Sequence, residues 1–232
     1  MKNLWFKDFL SLFFPNLCLA CRQKQAGKEN ILCLSCQHQL PFTDFHKMPE
    51  NEFTDRFWGR IALEKGAALF YFTKDSKVQN LIHLLKYGDR PNVGIQLGRL
   101  YGSILKTDAS LEAIDLIVPV PLHPRKQRSR GYNQSTQFAI GLSESMQIPY
   151  LEHALVRTVQ TSTQTRKSRL ERFENVLLAF QVKEATAISG KHILLVDDVL
   201  TTGATLEACA IKLLEVPEVK VSMATIAIAA SG

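Results

Sequence analysis

Residues 192–207 read HILLVDDVLTTGATLE. The apolar run Ile193 to Val196 fits a parallel strand covered on both faces, because such strands carry continuous rather than alternating apolar residues. Two adjacent carboxylates, Asp197 and Asp198, follow at its carboxyl end, where open α/β sheets place their ligands. Thr201, Thr202, Gly203, Ala204 and Thr205 then form a turn of small residues opening a helix. The first backbone N–H groups of a helix have no partner inside it and attract anions. The stretch predicts a site that takes hydroxyls on one side and a phosphate on the other.

The chain around it has 232 residues, enough for one sizeable core and a small appendage. With 46% hydrophobic and 22% charged residues, wholesale disorder is excluded. The formal net charge is +6, and residues 121–180 hold nine Arg and Lys against four Glu, a net +5. That quarter of the chain predicts an anion site or a nucleic-acid surface, with a solvated basic face as the bland alternative.

No apolar run approaches the ~20 residues that cross a bilayer, so no membrane span is expected. LWFKDFLSLFFPNLCLAC (4–21) is shaped like a leader, but Asp8 and Pro15 interrupt it and a cysteine pattern runs on from it. The expectation is a mature N-terminus and a cytoplasmic protein. Trp5, Phe6, Phe9, Leu10, Phe13 and Phe14 recur at helical spacing before Pro15, predicting a short amphipathic helix packed on the next element or docked on a membrane surface.

Cys18 and Cys21 form one Cys-x-x-Cys pair and Cys33 and Cys36 a second, eleven residues later. Paired cysteines at this spacing fit one tetrahedral Zn²⁺. Two disulfides or unrelated thiols are the alternatives, the former disfavoured in a reducing compartment. A Cys₄ site is structural, since four thiolates leave no open position for chemistry. Cys209 reads as a small buried hydrophobe.

Residues 40–65 read as a linker. Beyond them the pattern predicts a strand at 67–72, helices at 78–87 and 95–105, a strand at 115–121 and a helix at 133–145. Strand-like ALV near 155, strand-like VLLAF at 176–180, the opening stretch, a helix to Leu214 and a strand in VKVSMATIAIA complete it. Strands alternating with helices predict a mainly parallel α/β sheet. Neither G-x-G-x-x-G after a strand nor G-x-x-x-x-G-K-[ST] occurs, so dinucleotide and P-loop sites are unsupported.

LLVDDVLTTGAT resembles the 5-phosphoribosyl-1-pyrophosphate (PRPP) motif of type I phosphoribosyltransferases. VPVPLHPRKQRSRGYNQS (118–135), RTVQTSTQTRKSRLERFENVLLAF (157–180), LKYGDR (85–90) and the cysteine-rich N-terminus are similar to the corresponding stretches of the ComF family, phosphoribosyltransferase-like proteins linked to competence and DNA uptake. The resemblance implies the type I phosphoribosyltransferase fold over residues 61–232. Residues 1–60 would then hold the N-terminal helix, a zinc-ribbon-like Cys₄ module and the linker.

It also implies roles. Asp197 and Asp198 would accept from the ribose hydroxyls, and Thr201 to Thr205 would wrap the 5-phosphate, with Gly203 allowing close backbone approach. Arg125 and Lys126 would act catalytically on the pyrophosphate. Arg128, Arg130, Gly131, Tyr132, Asn133 and Gln134 match the family's R-x-R-G-Y-N-Q block, where Gly131 frees a turn, Asn133 caps a helix, and Arg130 either meets a phosphate or pins the loop. Thr161, Gln164 and Arg172 would belong to a flexible loop that closes over the reacting centre, and Lys167 departs from the apolar residue expected there. The implied reaction displaces pyrophosphate from the anomeric carbon with Mg²⁺ carried by the substrate. His83 and His123 are candidate bases by type alone. Two functions stand: a phosphoribosyltransferase of unknown acceptor, or a non-catalytic adaptor of the DNA-uptake machinery binding PRPP or single-stranded DNA.

Overall fold

In the computed structural model, residues 17–26, 31–107, 113–158 and 177–230 are described. The chain runs through α1 (Leu34–Gln39), the short α2 (Glu52–Asp55), β1 (Gly66–Phe72), α3 (Lys77–Tyr87) and α4 (Pro91–Leu105). It continues through β2 (Leu116–Pro119), α5 (Pro124–Arg130), α6 (Gln134–Met146) and β3 (Leu155–Arg157). The last part holds β4 (Phe180–Val182), α7 (Ala185–Ile188), β5 (His192–Leu200), α8 (Ala204–Leu214) and β6 (Lys220–Ala229).

Four strands pair in the order β1-β6-β5-β2, every neighbour parallel. The apolar runs of β5 and β6 are the inner strands, and Ile193 to Val196 are buried as a strand covered on both faces must be. All carboxyl ends point one way. This is the type I phosphoribosyltransferase architecture, a parallel sheet flanked by helices.

Register decides where the site opens. β2 pairs with β5 only as far as Pro119 opposite Val196, whereas β5 stays paired with β6 through Leu200 opposite Ile228. Asp197 and Asp198 therefore stand within the strand rather than just past it, on the part that overhangs its β2 neighbour. The overhang exists because the prolines at 119 and 121 turn the β2 chain away from the sheet.

Helix ends follow local chemistry. Ser76 caps α3 through Gln79 N–H, Pro91 opens α4, and the Asn133 carboxamide accepts from Ser135 N–H at the start of α6. α4 and α6 pack with backbones in contact: a Cβ at Gly98 would lie 2.3 Å from the Phe138 carbonyl, and one at Gly141 2.0 Å from that of Ile95. This close fit seats the start of α6 against the end of β5.

Three expectations change. Residues 40–65 are not a free linker: Phe42 bridges Phe70 at the β1 edge, Asn51 donates to the Gly66 carbonyl, and Phe45, Phe53 and Phe57 are buried. Each such ring contributes roughly 1.5–3 kcal/mol of burial, enough to bind a polar stretch to the core. The strand near 155 lies outside the main sheet, in an antiparallel ribbon of β3 with β4. In VLLAF, Leu178 and Ala179 form a turn and strand begins only at Phe180, where pairing to Arg157 starts.

Candidate functional site

The aspartate pair is held from three sides. Ser135 Oγ donates to Asp197 Oδ1 at 2.8 Å, and Asp198 N–H donates to the same oxygen at 2.8 Å. Lys86 Nζ lies 2.9 Å from Asp198 Oδ1. Desolvation by the surrounding strands, then the neighbouring charge of Asp198, pushes the Asp197 carboxyl up to about 7, although part of its surface stays exposed. Its two hydrogen bonds and Lys86 act in the opposite sense.

Beyond the pair, Thr201 to Thr205 lead into α8 through Gly203, which is left-handed at φ +83°. Asp197 and residues 199–206 line a small cleft of about 40 Å³. Thr201 and Thr202 are exposed just ahead of a helix N-terminus. The loop is braced by the stretch expected to be a linker. Arg56 donates to the carbonyls of Thr201 and Ala229, and Arg60 pairs with Glu207 in the first turn of α8 at 2.7 Å. The Phe57 ring lies 3.1 Å from where a Gly203 Cβ would stand.

The block at 121–135 flanks the same end of the sheet. Gly131 ends α5 in the left-handed region (φ +79°), and Asn133 Nδ2 donates to the Val120 carbonyl at 2.9 Å while its oxygen caps α6. Arg130 pins the loop: it donates to Gln134 Oε1 at 2.8 Å and stacks 5.2 Å from the Tyr87 ring. Tyr132 Oη donates to the Leu85 carbonyl at 2.7 Å. Arg125 and Lys126 stand exposed on α5, and neither side chain has an ion pair among the described residues. His123 is pushed down by desolvation and then by the charges of Arg157, Arg125 and Lys126. Its Nδ1 accepts from Arg125 N–H, which marks it as a cap of α5. His83 packs against Tyr87. Thr161, Gln164, Lys167 and Arg172 lie outside the described residues.

The cysteine expectation gains geometry. The Sγ atoms of Cys18, Cys21, Cys33 and Cys36 all lie within 4.8 Å of one another. Four sulfurs about 2.3 Å from one ion stand roughly 3.8 Å apart, so the set fits tetrahedral Zn²⁺ after a small contraction. N–H groups of Gln23 and Lys24 pull Cys21 down to about 6, while burial and the neighbouring thiols push Cys36 up to about 12, so the fit to a metal rests on the clustering of the four sulfurs. No other group of three or more His, Cys, Asp or Glu is placed to hold a metal among the described residues. Cys209 is buried on α8, as expected.

Lys86, Ser135 and Arg56 were not assigned from sequence. Ser135 was legible as the residue after the R-x-R-G-Y-N-Q block, at a helix start facing the sheet end. Lys86 lies in LKYGDR and Arg56 pairs locally with Glu52, but neither neighbourhood announces Asp198 or Thr201, more than a hundred residues away.

Residues 129–231 match the model of the phosphoribosyl transferase domain family. The match begins in the last turn of α5 and takes in α6, β5, α8 and β6, the elements that build the aspartate pair and its loop. Over 211 residues the chain is 36% identical to DNA utilization protein YhgH of Escherichia coli (strain K12), covering 84% of this chain and 88% of that one. It is 29% identical over 205 residues to Competence protein F of Haemophilus influenzae, covering 84% and 89%. To Competence protein ComFC of Bacillus subtilis it is 36% identical over 100 residues, covering 43% and 38%.

Proposed function

The chain belongs to the ComF family of phosphoribosyltransferase-like proteins, and we propose that it binds PRPP and transfers the phosphoribosyl group to an acceptor with release of pyrophosphate. The observation that carries this reading is the overhang of β5, which sets Asp197 and Asp198 beside the Thr201–Thr205 loop at the N-terminus of α8. Two carboxylate acceptors next to a phosphate cradle suit a phosphorylated sugar.

In this reading Asp197 and Asp198 hold the ribose hydroxyls, and the backbone N–H groups and hydroxyls of Thr201, Thr202, Gly203, Ala204 and Thr205 hold the 5-phosphate. Arg125 and Lys126, with Arg157 near them, meet the charge that develops on departing pyrophosphate. Fixing the ring at both ends holds the anomeric carbon open to one face, the geometric part of catalysis. Mg²⁺ would be held mainly by substrate oxygens and would supply charge neutralisation. Thr161, Gln164 and Arg172 are assigned to the loop that excludes water from the reacting centre. Zn²⁺ on Cys18, Cys21, Cys33 and Cys36 is structural.

The exposed cations of α5 and the names of the relatives favour a second reading, in which the same pocket serves a cytoplasmic adaptor that contacts single-stranded DNA and DNA-uptake proteins. Pyrophosphate release, followed across purine, pyrimidine and amine acceptors, separates the two. Turnover abolished by Asp197→Asn supports the transferase. No turnover with any acceptor, together with salt-sensitive DNA binding that survives Asp197→Asn, supports the adaptor.

A further inference from the structure

Lys86 lies in the last turn of α3, within the sequence LKYGDR. Its ammonium sits 2.9 Å from Asp198 Oδ1, with only 23% of the side chain exposed. An ammonium has three donors, and this one has no other partner among the described residues. Half-buried at the mouth of the site and held by one carboxylate, this ammonium keeps donors that can turn to a ligand there.

The end of α3 is also held in place more firmly than a surface helix needs. Tyr132 ties to the Leu85 carbonyl, Arg130 stacks on Tyr87, and Gly88 N–H closes the helix onto the Leu84 carbonyl. Both neighbours of Lys86 are thus anchored to the turn that leads into α6, whose first turn supplies Ser135 to Asp197. The charge is aimed at the aspartate pair by contacts on either side of it.

We infer that Lys86 is a ligand-binding residue of this site, held by Asp198 in the free protein and directed at the pyrophosphate of bound PRPP. The inference rests on the PRPP reading given above. A ribose hydroxyl donating to Asp198 competes for the oxygen that Lys86 occupies. The hydroxyl-bearing and pyrophosphate-bearing carbons are neighbours in the ring, so an ammonium loosened from Asp198 finds phosphate oxygens close by. A point charge with rotatable donors suits this exchange better than a planar guanidinium. Lys86 then offsets the repulsion between Asp198 and a polyanion arriving beside it.

The test is titration of the full-length protein with PRPP and with ribose 5-phosphate, which lacks the pyrophosphate, for wild type and Lys86→Met. Expected is a loss of PRPP affinity of tenfold or more, with ribose 5-phosphate affinity unchanged or improved because the competitor for Asp198 is gone. Equal losses for both ligands would reduce Lys86 to a structural counter-ion of Asp198 and overturn the inference. PRPP binding unchanged in Lys86→Met, with the wild type binding, would overturn it while leaving the PRPP site standing. A wild type that binds neither ligand would remove the PRPP reading itself. Should Lys86→Met fail to fold, Lys86→Gln keeps a donor for Asp198 without the charge and is expected to give the same split between the two ligands.

Discussion

Ser135 Oγ donates to Asp197 Oδ1 at 2.8 Å, joining the first turn of α6 to the overhanging end of β5. The bond favours the ionised carboxylate against a buried setting and an adjacent negative charge that both oppose it.

With Asp197 pushed up to about 7, the fraction able to accept two hydroxyl donors changes across neutral pH. PRPP affinity is expected to fall as pH drops from 8 to 6, read by titration in buffers matched for ionic strength. Ser135→Ala removes a contact that lowers the Asp197 pKa, so it should shift this dependence to higher pH. At pH 7 it should weaken binding by about tenfold, the scale of one hydrogen bond to a charged group.

The same shift sets a stability dependence of defined sign. The folded-state value of about 7 lies above the 3.8 of the free side chain, so the native state holds the proton more tightly. The stability this confers is fully present below about 3.8 and is lost as pH rises toward 7. Asp197→Asn, which cannot ionise, should therefore raise Tm over wild type by a margin that grows between pH 5 and pH 8, while abolishing PRPP binding. A variant less stable than wild type at pH 8 would contradict this reading of the buried carboxyl.

Much of this was legible in HILLVDDVLTTGATLE, because strand, acid pair, small-residue turn and helix are written in consecutive residues. Gly131 and Asn133 were legible for the same reason, as local turn and cap chemistry. The packing of residues 40–65 was not. Phe42 with Phe45 and Phe53 with Phe57 stand three and four residues apart, but each pair is too short a run to announce a helix, and the burial of Phe45, Phe53 and Phe57 depends on β1 and β6 being folded beneath them. Lys86 and Arg56 were hidden because ion pairs and backbone contacts across more than a hundred residues leave no mark in either neighbourhood.

Gly203 is expected to tolerate no side chain. Its φ of +83° costs an L-residue about 1–2 kcal/mol, and a Cβ would press on the Phe57 ring at 3.1 Å. Gly203→Ala should lower Tm by several degrees and weaken PRPP binding. Phe57→Leu in the same background should recover part of the stability, which thermal melts of the single and double variants would show.

Metal analysis should return close to one zinc per chain. Cys33→Ser should lower both zinc content and Tm, since metal affinity of such a site is folding free energy. A chelator should destabilise wild type more than Cys33→Ser. Because Arg56 and Arg60 carry the neighbouring segment onto the Thr201–Thr205 loop, zinc removal should also reduce PRPP affinity.

The most direct measurement is calorimetric titration of the purified protein with PRPP, with and without Mg²⁺, beside Asp197→Asn. Mg²⁺-dependent binding at one site per chain, lost in the variant, is the expected result. Absence of binding by folded, zinc-loaded wild type would contradict it, and the β5 overhang would then be architecture without its ligand.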